Sequence, residues 1–181
     1  MASRAQATIE PKWQFLEDVF VSNSIRDSLT TRRGRRVYLP KPIDEQRSNL
    51  RKVLAVELRR IAAAYSGTVT EEEHVQNISE LASRVSDNCK LFLNEGCFCF
   101  GIAQKALNSY LKYLWCANRL PMPPHCPFDN IVIEHLKLPL GCERQWTRAD
   151  EAAYRKWVSA AKAAAGPESL AEWELRVWAV T

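Results

Sequence analysis

Between Gly101 and Trp115 the apolar residues Ile102, Ala106, Leu107, Tyr110, Leu111, Leu114 and Trp115 recur in steps of three and four. That period belongs to an α-helix with one wide apolar face. It recurs along the chain. Pro11 suits a first helical turn, and Trp13, Leu16, Val19 and Phe20 form a stripe running to about Arg26. Asp44 opens a second helix, to about Tyr65, with Leu50, Val53, Leu54, Leu58, Ile61 and Ala62 inside. Thr70-x-x-Glu73 is a capping box ahead of Val75, Ile78, Leu81, Ala82 and Val85, and His74 falls in that helix's exposed first turn. Asn88 to Phe100 reads as a brief helical turn and a link. Asp129 caps a helix to about Leu138, Thr147 (with Asp150 at the reciprocal position) caps another, and Pro167 starts the last. No two alternating segments pair as strands. The spacing predicts an all-α chain: a disordered stretch over 1–10, then one compact domain of six to eight helices over 11–181.

The sequence has 181 residues, 46% of them hydrophobic and 25% charged, as in an ordinary soluble domain. No run has signal-peptide or membrane-spanning character, so a cytoplasmic chain with no membrane association is expected. Its six cysteines are then expected to be reduced. Cys97-x-Cys99, Cys116 and His125-Cys126 lack the paired knuckles of a zinc site, and no metal or cofactor is expected. The net charge of +4 is uneven. Arg26 to Arg60 holds eleven Lys/Arg against four Asp/Glu, a local +7, so the other residues sum to −3. Such a block is the footprint of a polyanionic partner, and DNA is the expected one. Its sharpest part is the turn Thr30 to Arg36, where Arg32, Arg33, Arg35 and Arg36 surround Gly34 as candidate nucleic-acid contacts.

The candidate chemistry lies between Gly101 and Asp129. Gln104, Lys105, Asn108 and Lys112 form a polar stripe on the amphipathic helix. Gly101 allows another backbone to approach closely. Pro121, Pro123, Pro124 and Pro127 stiffen a loop that returns to Asp129. Lys105 and Asp129 are the candidate catalytic residues. Gly101, Gln104, Asn108, Lys112 and His125 are the candidate substrate-binding residues, with His125 also read as a loop residue bonding backbone.

The segment GIAQKALNSYL resembles the second half of the helix-hairpin-helix of DNA glycosylases of the endonuclease III type. Gly101, Ile102, Lys105 and Asn108 fall in step with that family's pattern. Pro127-Phe128-Asp129-Asn130, 24 residues after Lys105, matches its helix-opening aspartate. The similarity spans about 30 residues, with Ala103 at the second hairpin glycine, Ala106 after the lysine, and no iron–sulfur cysteine run. The resemblance implies a helical DNA repair fold and a base-excision-type glycosylase or lyase. In it Lys105 attacks the sugar C1′, Asp129 activates it or stabilises the cationic sugar, and the amides near Gly101 hold a phosphate. A neighbouring cation such as Lys112 would help lower the lysine's pKa.

The other reading is a non-catalytic helical module that binds a protein or nucleic acid. Trp157, Trp173 and Trp178 would anchor it if they formed an exposed patch, or fill the core between the last helices. An interior Lys105–Asp129 pair, converging in a cleft beside the basic segment, favours the enzyme, and an exposed tryptophan cluster the module. No phosphate-binding glycine loop, nucleophile elbow or HExxH is present.

Overall fold

A computed structural model describes residues 10–31 and 36–180. Within them lie seven α-helices: α1 (Pro11–Leu29), α2 (Asp44–Ala62), α3 (Glu71–Cys89), α4 (Phe100–Cys116), α5 (Asn130–Glu134), α6 (Glu151–Ala165) and α7 (Leu170–Ala179). No strand forms among the described residues, and one isolated bridge joins Tyr38 to Leu93. The chain is thus an all-α domain. None of its described helices is long and apolar enough to cross a membrane.

The centre of the fold is α4. Ten of its 17 residues are buried, and it touches α1, α2, α3 and α6. Its length and its Leu, Ala and Tyr content let one helix supply the core to four neighbours. Against it lie Leu50, Leu54 and Leu58 of α2 and Ile78 and Leu81 of α3, all fully buried. Each such side chain contributes about 2 kcal/mol of burial free energy. A hydrogen bond and a ring stack register α1 on α4: the Tyr110 hydroxyl donates to Glu17 Oε1 at 2.8 Å, and Phe20 stacks on Tyr113 with ring centres 5.3 Å apart.

Helix boundaries differ from the sequence reading where two caps competed. Asp150, not Thr147, caps α6, its carboxylate accepting from the Ala153 amide at 2.8 Å. Thr147 is instead buried in a 3-10 turn over Trp146–Arg148. Ser169 caps α7, so Pro167 lies before that helix. Asp44 is the first residue of α2, and Gln46 accepts from the Ile43 amide. Asp129 does cap α5, but that helix ends at Glu134. In α1 the buried face is Val21, Ser24, Ile25 and Ser28, while Leu16 is 44% exposed. The serines are tolerated inside because their hydroxyls return to the Phe20 and Ile25 carbonyls. The expected disorder over 1–10 falls, but for Glu10, outside the described residues.

Candidate functional site

The polar stripe of α4 divides into two rows with opposite destinations. Lys105, Ser109, Lys112 and Cys116 face a cleft of about 740 Å³. Arg26, Asp27 and Thr30 at the end of α1, Pro127 and Asp129 of the loop, and Glu174, Leu175 and Trp178 of α7 complete its walls. Gln104 and Asn108, one residue before Lys105 and Ser109, are fully buried on the other side.

The inward row builds the outward one. Gln104 Nε2 donates to the Phe128 carbonyl at 2.7 Å, and the Phe128 amide donates back to Gln104 Oε1 at 3.1 Å. This reciprocal pair clamps the proline-stiffened loop. The next residue on each side then meets: Lys105 Nζ donates to Asp129 Oδ2 at 3.2 Å. The other carboxylate oxygen of Asp129 caps α5, accepting from Val132 N at 3.1 Å. Asn108 adds bonds to the Cys126 carbonyl at 2.9 Å and the Tyr154 hydroxyl at 3.1 Å. Gln104 and Asn108 therefore do not reach the cleft as substrate contacts. Their amides are spent on the loop.

Lys105 is sheltered, its side chain 13% exposed, with Nζ 4.8 Å from the centre of the Trp146 ring. Trp146 is held there by Gly101. The Gly101 amide donates to the Ala149 carbonyl at 3.0 Å, and a Cβ at Gly101 would fall 1.7 Å from the Trp146 carbonyl oxygen. A backbone does approach this glycine closely, but it is the chain's own. The Ile102 and Ala103 amides both donate to the Cys99 carbonyl. A phosphate cradle at Gly101 is thus excluded, because its donors are already bound.

Lys112 lies two turns beyond Lys105 and pairs with Glu174 at 2.6 Å. Glu174 is 4% exposed, and burial pushes its carboxyl up while Lys112 pulls it down. This buried acid was not singled out from sequence. Its signal was a carboxylate within the apolar stripe Leu170, Trp173 and Val177. The cleft walls carry Arg26, Lys105 and Lys112 against Asp27, Asp129 and Glu174, a balanced set.

His125 lies elsewhere. It is buried, its Nδ1 is 2.9 Å from the Tyr154 hydroxyl, and its ring meets His74 edge-on at 4.8 Å. It bonds a side chain rather than backbone. His74 is fully buried too, not a surface residue, with Nδ1 2.7 Å from the Tyr65 hydroxyl. Asn77 donates to Tyr65 and Asn108 to Tyr154, so each tyrosine is free to give its proton to a histidine Nδ1. Both rings are then neutral with the proton on Nε2. Burial depresses His74 to about 3, helped by its neighbour His125. Burial depresses His125 to about 4, helped by Lys162 and Arg155.

Family models, curated proteins and solved structures give no match to the chain. The functional reading rests on the geometry above. Of the arginine turn, Arg32, Arg33 and Arg35 lie outside the described residues. Arg36 is exposed and borders a second groove with Asn94, Glu95 and Arg148. Elsewhere in the basic block, Arg26 pairs with Asp27, Arg59 with Glu17 and Asp18, and Arg60 with Glu57 and Glu80.

Proposed function

We propose that the cleft is a Schiff-base active site and that the chain is a DNA-associated glycosylase or lyase acting on an abasic or damaged deoxyribose. The observation that carries this reading is the Lys105–Asp129 pair, 3.2 Å apart at the wall of a cleft and set against an indole face. Asp129 is within reach of the proton that the lysine must lose before it acts as a nucleophile. The free amine adds to the C1′ aldehyde of a ring-opened abasic sugar. The carbinolamine loses water to give an iminium, and the Trp146 face and the Asp129 carboxylate favour that cation. Loss of the C2′ proton then expels the 3′-phosphate, and water releases Lys105. The basic run Arg32–Arg36 follows Thr30, a residue of the cleft wall, by two positions in the sequence and is the proposed phosphate contact.

The non-catalytic module is the weaker reading. Trp157 and Trp173 are buried, and of the six tryptophans only Trp178 is exposed, so no aromatic cluster faces solvent. The test is borohydride trapping on an abasic-site duplex. Wild type is expected to form a covalent adduct, and Lys105→Ala to lose it by roughly a thousandfold. Equal adduct from Lys105→Ala, or none from wild type, overturns the Schiff-base reading.

A further inference from the structure

The groove that Arg36 shares with Arg148 has a volume of about 430 Å³ and is walled on its other sides by Asn94 and Glu95. Two backbone anchors fix its arginines. The segment carrying Arg36 is tied to the 90–96 link by the Asn94 amide donating to Val37 O at 2.9 Å and the Leu39 amide to Phe92 O at 3.0 Å. Arg148 belongs to the Trp146–Arg148 turn, which is locked onto α4 by the close approach at Gly101. Among the described residues neither arginine makes an ion pair or side-chain hydrogen bond, although Arg26, Arg59 and Arg60 of the same basic block are all paired with carboxylates. More free cation lies nearby. Burial pushes the Tyr38 phenol up, opposed by Arg51 and Arg47 of α2, and both of these are exposed and likewise unpaired among the described residues. Arg36 and Arg148 thus line one groove with their guanidinium donors uncommitted among the described residues. Arg148 is two residues from Trp146, whose ring lies against Lys105.

We propose that the Arg36–Arg148 groove grips a backbone phosphate of a nucleic acid. The paired arginines Arg26, Arg59 and Arg60 have donors already committed to carboxylates. The proposal takes its choice of partner from the DNA reading of the cleft, but binding at this face does not require Lys105 chemistry. A guanidinium suits the task because its planar donor fork matches two phosphate oxygens.

The test is the salt dependence of binding to a labelled duplex carrying a tetrahydrofuran abasic analogue, which forms no imine. In wild type, log K is expected to fall steeply with log salt between about 50 and 200 mM. Arg36→Ala with Arg148→Ala is expected to flatten that slope by about one, the share of the single phosphate the two arginines hold. The corresponding double Lys variant keeps the slope, and so does Arg60→Ala. A wild-type slope in the double Ala variant, or a flat wild-type slope, overturns the proposal. Borohydride trapping in parallel separates the two readings. Adduct with no slope change removes this groove alone, and slope change with no adduct removes the lysine chemistry alone.

Discussion

The two rows of α4 carry similar polar side chains one residue apart, yet their environments are opposite. Gln104 and Asn108 are fully buried and bonded to the loop and to Tyr154, in a network that continues through His125 and His74. Lys105 and Lys112 line the cleft, largely sheltered and each paired with a single carboxylate. The inward network is a scaffold, because a buried polar group must be satisfied or it destabilises the fold. The outward row borders the cleft, where the proposed chemistry would take place. Polarity alone does not separate scaffold from site, and the side of the helix does.

The largest test of this contrast is pH. His74 and His125 titrate near 3 and 4 in the fold, against about 6.5 in an unfolded chain. The unfolded chain therefore binds more protons between pH 6.5 and 4. Stability is complete above pH 7 and is lost as the pH falls through 6.5. The two rings together are expected to cost about 4 kcal/mol between pH 7 and pH 5, read by urea denaturation. His74→Phe should remove about half of that slope. A profile flat over this range would contradict the buried neutral pair.

Asn108→Ala comes next. It removes the side-chain donor to the Cys126 carbonyl and to Tyr154 and leaves a small void, for an expected loss of about 3 kcal/mol. An unchanged denaturation midpoint would mean that the inward row is no scaffold.

The smallest effect sharpens the comparison at Asp129, the residue shared by both functions. Asp129→Ala loses the α5 cap and is expected to destabilise by about 1 kcal/mol, whereas Asp129→Asn keeps a capping oxygen and is expected to be near neutral. Both should depress borohydride trapping, since neither leaves a carboxylate beside Lys105. Full trapping by Asp129→Asn would remove the carboxylate from the proposed chemistry.

The helical fold was legible because a 3.6-residue period depends on neighbours three and four positions away. The Thr70–Glu73 box and the Asp129 cap were legible for the same reason. The pairing of Lys105 with Asp129 was implied by the glycosylase resemblance and not by periodicity, which does not reach across 24 residues. Burial was not legible wherever a long-range partner decided it. His74 sits in a first turn that reads as exposed, and only the arrival of His125 and Tyr65 seals it. Gly101 signalled a close backbone approach, but its occupant, the Trp146 carbonyl, lies 45 residues away. Arg148 lies far outside the basic block and joins Arg36 only through the docking of two loops. The sequence by itself determined which segments are helices and which residues share a helix face. Tertiary packing decided which face meets protein and which meets water, because that depends on contacts between segments that local periodicity does not encode.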